Sequence, residues 1–178
     1  MLIRRETERD VDPIRAVTAA AFASRRPSGQ IPPEARLIDE LRAGPAWLPA
    51  LSLVAVTPEG DVIGHVLGTR GHVGRDPVLA LGPLAVRPDR QRQGVGSTLM
   101  HAVLGAADAL GEPLAALLGD PAYYRRFGFR LAAGYQIAPP AAISARSAGR
   151  PGRAVPTPAA AGVLAAVRLR SGRRVRGR

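Results

Sequence analysis

Two glycines stand between an apolar run and an amphipathic one, in the stretch Gln91-Arg-Gln-Gly94-Val-Gly96-Ser97. Glycine lacks the Cβ atom that would obstruct an anion, and the first N–H groups of a following helix would point at that anion. The positive end of the helix dipole would add to their effect. The side chains of Arg90 and Arg92 could make charge-assisted contacts to phosphate. The stretch therefore predicts a loop that binds a diphosphate.

The residues around these glycines exclude two familiar phosphate-binding patterns. A P-loop of a nucleotide hydrolase needs a lysine after its last glycine, and the chain contains no lysine. The dinucleotide pattern needs a third glycine where Leu99 stands. The chain also has no cysteine and only three histidines, so the sequence predicts neither a metal site nor a cysteine nucleophile.

The remaining pattern, Gln91-x-x-Gly94-x-Gly96 after a strand and before a helix, resembles the acetyl-CoA signature of the GNAT superfamily of N-acetyltransferases. A second segment, Tyr124-Arg-Arg-Phe-Gly128-Phe129, resembles that family's Tyr-x-x-x-Gly-Phe motif. The two segments lie one predicted strand apart, in the order of the family. The run Leu81-Gly-Pro-Leu-Ala-Val86 narrows the resemblance to a bacterial branch of predicted acetyltransferases, and the resemblance covers residues 2–135.

The resemblance implies an enzyme that uses acetyl-CoA as cosubstrate, needs no metal and transfers the acetyl group directly to a primary amine. It implies that the pantetheine arm binds to backbone groups of Leu84, Ala85 and Val86. It also implies that the diphosphate binds to the loop formed by Gln91, Arg92, Gln93, Gly94, Val95, Gly96 and Ser97. Tyr124 matches the family tyrosine that protonates the departing thiolate as general acid, with Tyr123 as the alternative. A phenol with a pKa of about 10 can donate to a thiolate whose thiol has a pKa of about 8.5.

The sequence offers several candidates for the general base that accepts the proton of the amine. Some relatives place a glutamate base on the strand over residues 78–86, which contains no acid here. His65 on the preceding strand is a candidate base, but a histidine of a sheet is also commonly a buried structural residue. Asp120 is a second candidate and would equally cap the next helix. A water relay is a third solution, and the sequence does not identify the acceptor amine.

Hydrophobic periodicity and turn residues predict the elements that position these side chains. Strands are predicted over residues 2–5, 51–56, 62–69, 78–86, 114–118 and 129–137, and helices after residue 12 and over residues 34–42, 97–110 and 121–127. Gly82-Pro83 interrupts the fourth of these strands and predicts a bulge or splay. We therefore predict an α/β fold with a GNAT-like mixed, mostly antiparallel central sheet. The sheet would be splayed at the cofactor-binding strand and flanked by about four helices.

Three finer expectations concern the first half of the chain. Asp10 or Asp12 is expected to cap the first helix. Leu37, Ile38 and Leu41 are expected to face inward from the second helix. Trp47 is expected in the loop that follows it, where it either lines the acceptor pocket or covers the core.

The net charge of +11 resides mainly at the end of the chain. All 25 basic residues are arginines, and residues 141–178 hold nine of them without any acid. We predict an acetyltransferase domain at 1–138 and a partly disordered Arg/Ala/Pro/Gly-rich tail at 139–178, with one further strand near 163–169. Other interpretations of the tail are an arm for nucleic acid and an end translated out of its ancestral frame.

A second class of function is compatible with the sequence. A nonenzymatic CoA-sensing or nucleic-acid-binding protein on a degenerate acetyltransferase scaffold would explain the missing strand glutamate and the basic tail. The tail has no aromatic residue for base stacking, which disfavours nucleic acid as a partner. No apolar run is long enough for a membrane span and the start lacks a signal-peptide core, so we expect a cytoplasmic protein without a membrane partner. A homodimer is compatible with the sequence.

Overall fold

A computed structural model describes residues 1–23, 32–73, 75–131 and 163–169. Its strands are β1 (Leu2–Arg5), β2 (Trp47–Val56), β3 (Val62–Val73), β4 (Asp76–Val86), β5 (Leu114–Gly119), β6 (Arg130–Leu131) and β7 (Val163–Arg168). Its helices are α1 (Val11–Phe22), α2 (Pro33–Ala43), α3 (Val95–Ala109) and α4 (Pro121–Tyr124). Short 3-10 turns occupy Glu8–Asp10, Pro88–Arg90 and Arg125–Phe127.

The described strands form one sheet in the order β1-β2-β3-β4-β5-β7-β6, in which only the β4–β5 pair is parallel. Because side chains alternate along a strand, the sheet has two apolar faces. α3 covers one face through Leu99 and Val103, and α1 and α2 cover the other through Ile14 and Ile38. The predicted mixed, mostly antiparallel α/β fold with about four helices is confirmed.

β4 separates from β5 where Gly82 and Pro83 interrupt it. Pairing with β5 extends only from Leu79 to Leu81, while pairing with β3 continues to Val86. The register with β3 shifts by one residue at the interruption, which is a β-bulge. The predicted bulge and splay are therefore confirmed. Beyond Leu81, the described part of the chain provides no strand partner on the β5 side of β4.

Asp10 stabilises a different element from the one that the sequence predicts. Its carboxylate accepts a hydrogen bond from the backbone N–H of Thr7 at 2.7 Å and pairs with Arg4 at 2.6 Å. The hydrogen bond from Arg4 lowers the pKa of Asp10 to about 2. The predicted cap is wrong: α1 has no side-chain cap, because Asp10 closes the preceding 3-10 turn and Asp12 pairs with Arg15.

Asp10→Asn is expected to lower the free energy of unfolding by about 2 kcal/mol at pH 7, because the partly buried Arg4 loses its charged partner. Asp12→Asn is the control, since Asp12 is exposed, and should cost less than about 0.5 kcal/mol. Chemical denaturation of the two variants measures the difference. Equal losses would contradict the role assigned to Asp10.

Two expectations about α2 and its surroundings are also wrong. Leu37 is 42% exposed, because the buried face of α2 follows Ala35 and Ile38, which are three residues apart. Trp47 lies in β2 rather than in a loop, because it pairs with Thr69 of β3 and extends the strand. The predicted loop of residues 24–33 falls largely outside the described residues, as do positions 132–137 of the predicted last strand.

β7 places a late part of the chain inside the sheet. It pairs antiparallel with β5 along its whole length and with both residues of β6, so it lies between them. Leu169, directly after β7, is buried in the α3 side of the core. Residues 163–169 therefore share the sheet of the segment that we placed at 1–138. The domain boundary at 138 stays a prediction, and the other residues of 139–178 lie outside the described ranges.

Candidate active site

The predicted diphosphate loop lies between the open end of β4 and the start of α3. Gly94 is the N-cap residue of α3 at φ +86°, a conformation that glycine adopts without strain. Having no side chain, Gly94 cannot bond the first N–H groups of the helix, and these stay available to an anion. The backbone of Val95, Gly96 and Ser97 forms the first turn that presents them.

Two side chains of the loop bind backbone carbonyls that lie just before it in the chain. The Gln91 side-chain amide donates to the carbonyl of Val86 at 3.0 Å, and the Gln93 amide donates to the carbonyl of Asp89 at 2.8 Å. Arg90 lies 3.4 Å from Asp89 and shares this carboxylate with Arg87. Arg92 has no ion-pair partner among the described residues, so its guanidinium is available to a phosphate.

The backbone of β4 presents alternate residues to the open side. Ala85 is paired with His65, and the N–H of Arg87 donates to the carbonyl of Ile63 at 2.9 Å, so both residues direct their backbone groups to β3. The backbone N–H and carbonyl groups of Leu84 and Val86 therefore point away from β3. Two of the three residues predicted to bind pantetheine have the required orientation. Ala85 does not, because β3 already uses its hydrogen-bonding groups.

The adjacent tyrosines of α4 contact different parts of the site. The ring of Tyr124 lies against Gly119 at the end of β5, where a Cβ atom would collide with it. The hydroxyl of Tyr123 instead lies beside Gly96, 2.9 Å from the position that a Cβ would occupy there. The Asp120 carboxylate accepts a hydrogen bond from the Ala122 N–H at 2.9 Å, which confirms the predicted cap of this helix.

His65 belongs to a buried polar cluster that links β2, β3 and the residue after β1 to α2. Its Nε2 atom lies 2.9 Å from Ser52 Oγ and 3.3 Å from a carboxylate oxygen of Glu6. Ser52 also hydrogen bonds to Glu6, and Arg42 donates to Glu6 at 2.8 Å. We call Glu6, Arg42, Ser52 and His65 the Glu6 cluster. Three of its members, Glu6, Arg42 and Ser52, are not predicted from the sequence, because their wide separation along the chain leaves no local pattern.

The Glu6 cluster favours an ionised glutamate and a neutral histidine. Burial alone would raise the pKa of Glu6, but hydrogen bonds from His65, Arg42 and Ser52 together lower it to about 2. Burial lowers the pKa of His65, against the opposing effect of Glu6. The His65 side chain is 0% exposed, and its Nδ1 atom has no hydrogen-bond partner among the described residues. Its role as a base stays a prediction.

Within the described ranges, no group of three candidate metal-ligating side chains is present. No helix in these ranges is long and apolar enough to cross a membrane.

Comparison with known proteins identifies the family. The model of the acetyltransferase (GNAT) family matches residues 19–129, which is more than half of the chain. YhbS of Escherichia coli (strain K12), an uncharacterized N-acetyltransferase, is 35% identical over 139 residues, which cover 77% of this chain and 78% of YhbS. The protein therefore belongs to the GNAT family of acetyltransferases and is an N-acetyltransferase.

Two solved structures are similar over most of their length. A GNAT acetyltransferase from Brucella melitensis, in complex with acetyl-CoA, has a TM-score of 0.66 and 40% identity, covering 72% of this chain and 82% of its own. YhbS in complex with CoA has a TM-score of 0.71 and 30% identity, covering 95% of this chain and 81% of its own. These relatives give no support to the alternative of a nonenzymatic CoA sensor or nucleic-acid-binding protein.

Proposed function

We propose that this protein acetylates a primary amine by direct transfer from acetyl-CoA while both substrates are bound. The observation that carries the proposal is the open edge of β4, which leads directly to the glycine-capped start of α3. An extended chain with amide groups and a diphosphate at one end fits this combination of an unpaired strand edge and an anion site. Two relatives hold acetyl-CoA or CoA.

Each part of this surface has a distinct binding role. The backbone of Leu84 and the N–H of Val86, whose carbonyl already accepts from Gln91, pair with the amides of the pantetheine arm, much as a neighbouring strand would. The N–H groups at the start of α3 hold the diphosphate, and Arg92 contributes positive charge. Gln91 and Gln93 also belong to the binding loop. Their side chains hydrogen bond to backbone carbonyls and stabilise the loop, so these residues contribute their backbone groups to the ligand.

Acetyl-CoA supplies an acetyl group activated as a thioester. The nitrogen of the neutral amine attacks the carbonyl carbon, so that an N–C bond forms and the C–S bond breaks. Tyr124 donates its phenolic proton to the departing sulfur as general acid. Backbone N–H groups of the splayed strand stabilise the negative charge that develops on the carbonyl oxygen. The products are an N-acetylated amine and CoA.

The amine loses one proton during the transfer. We assign this proton to a water relay rather than to His65, because burial disfavours the protonated imidazole and the side chain is fully enclosed. Asp120 is less suitable as a base, since its carboxylate caps α4. Because none of the described residues is assigned as the base, the rate should rise with pH as the free amine fraction increases.

Calorimetric titration with acetyl-CoA tests the proposed cofactor site. A Gly94→Asp, Gly96→Asp variant should bind at least about hundredfold more weakly than the unchanged protein, because two carboxylates would repel the diphosphate and an aspartate side chain at position 94 would be strained at a positive φ. Gly105→Asp is the matched control, since Gly105 lies further along α3 with open space around it. Absence of binding by the unchanged protein would remove the acetyl-CoA assignment. A panel of amines assayed for CoA release then identifies the acceptor.

A further inference from the structure

We propose that Tyr123 is a second functional tyrosine, whose hydroxyl donates a hydrogen bond to the diphosphate of acetyl-CoA. The proposal rests on the proposed function and assigns different roles to the adjacent residues Tyr123 and Tyr124. Tyr124 would donate a proton to the sulfur of acetyl-CoA, and Tyr123 would bind the diphosphate near the start of α3. Neither the sequence motif nor the resemblance assigns this role to Tyr123.

The position of the Tyr123 hydroxyl is the first argument. The atoms nearest to the absent Cβ of Gly96 are this hydroxyl at 2.9 Å, a methyl of Val86 at 3.5 Å and a methyl of Leu84 at 3.9 Å. The hydroxyl thus lies where the open end of β4 meets the first turn of α3. These are the two elements assigned to pantetheine and diphosphate. The described residues offer this hydroxyl no hydrogen-bond partner.

The surroundings of the ring hold the hydroxyl in this position. The Arg126 guanidinium lies 4.7 Å from the ring centre, and its Nε donates to the backbone carbonyl of Tyr123 at 3.0 Å. Tyr124 and Phe127 contact the ring edge-to-face, with centroid distances of 4.9 and 5.5 Å. A donor whose ring is fixed on several sides is organised before its acceptor arrives, which reduces the entropy lost on binding.

Tyr123 also explains why residue 96 is glycine. Gly94 needs glycine because of its positive φ, but Gly96 has no such conformational requirement. A Cβ at position 96 would instead lie 2.9 Å from the Tyr123 hydroxyl, closer than Cβ atoms are normally found, so the hydroxyl would have to move from its position. The second glycine of the loop therefore makes room for a tyrosine from another element, and the two positions should depend on each other.

Replacement of one hydroxyl tests the proposal. Tyr123→Phe should weaken acetyl-CoA binding about tenfold, measured by calorimetry, and lower kcat at saturation by less than about twofold. Tyr124→Phe is the matched variant and should show the opposite pattern. With S-acetylpantetheine, which has no phosphate, Tyr123→Phe should change kcat/KM less than about twofold. An equal loss with both donors would place the hydroxyl on pantetheine and overturn the diphosphate assignment.

A double substitution tests the dependence of the two positions. Gly96→Ala alone should weaken acetyl-CoA binding, and adding Tyr123→Phe should remove most of the extra loss, because the colliding oxygen is gone. Additive losses would overturn this coupling. If the unchanged protein does not bind acetyl-CoA, the proposed function fails. If the unchanged protein and the Tyr123→Phe variant bind acetyl-CoA equally well, the role of Tyr123 is refuted and the proposed function is retained. Thermal unfolding of each variant verifies that it is folded.

Discussion

Tyr124→Phe is expected to lower kcat at least about hundredfold at saturating acetyl-CoA, because loss of a general acid typically costs this much. The affinity for acetyl-CoA should change less than about threefold, since the phenyl ring retains its packing against Gly119 and Phe129. Initial rates with the amine found in the panel measure the first quantity, and calorimetry measures the second. Full activity in this variant would exclude Tyr124 as the acid.

Gly119→Ala provides an independent test of the same side chain. The added methyl would collide with the Tyr124 ring and must displace it, although the hydroxyl itself is still present. We expect kcat to fall at least about tenfold, because a small misplacement of a catalytic group is costly. Gly105→Ala is the control, since a methyl there meets nothing within 4 Å. An unchanged kcat in Gly119→Ala would show that the position of the Tyr124 ring is not critical.

The second large effect concerns stability and the Glu6 cluster. Glu6→Gln is expected to lower the free energy of unfolding by about 3 kcal/mol at pH 7, because Arg42 would lose the carboxylate that pairs with it inside the protein. Glu8→Gln is the matched control on the exposed side of the same segment and should cost less than about 0.5 kcal/mol. Chemical denaturation distinguishes the two, and similar values would mean that the cluster contributes little.

The cluster also predicts how stability depends on pH. The folded-state pKa of Glu6 is lowered to about 2, so its contribution is present above the ordinary value of 4.5 and is lost as the pH falls toward 2. The pKa of His65 is lowered from 6.5, so the unfolded chain binds a proton first and stability starts to fall below about pH 6.5. His65→Gln should remove the loss of stability that starts below about pH 6.5, and should keep the loss that occurs as the pH falls from 4.5 toward 2. An identical pH profile for the two proteins would contradict the assignment.

The parts of the fold that the sequence predicts correctly are those with a local cause. Apolar runs bounded by turn residues give the central strands, and Gly82-Pro83 marks the bulge because proline cannot donate to a neighbouring strand. Gly94 precedes α3 as its N-cap, because glycine followed by an amphipathic run marks a helix start, while the binding of an anion there stays a prediction. Asp120 caps α4 as expected, because both groups of that hydrogen bond lie two residues apart.

The features that sequence analysis missed depend on contacts between distant residues. Glu6 and Ser52 meet only after β1 has paired with β2, and an isolated serine in an apolar run gives no sign of a buried carboxylate. Ala85 lost its predicted backbone role because strand register, rather than composition, decides which way a carbonyl points. Adjacent aromatic residues such as Tyr123 and Tyr124 point in different directions on a short helix, and only the packing of that helix decides which surface each one meets.

The position of β7 has a consequence for synthesis. Residues of β7 are made last among the described strands, yet they pair with both β5 and β6, and α4 lies between those two strands along the chain. Chains emerge from the ribosome from the N-terminal end. The loop at the start of α3 is thus complete before the sheet that supports Tyr123 and Tyr124 can close. A nascent chain would form the loop at the start of α3 early, and the arrangement around Tyr123 and Tyr124 only once β7 has been made.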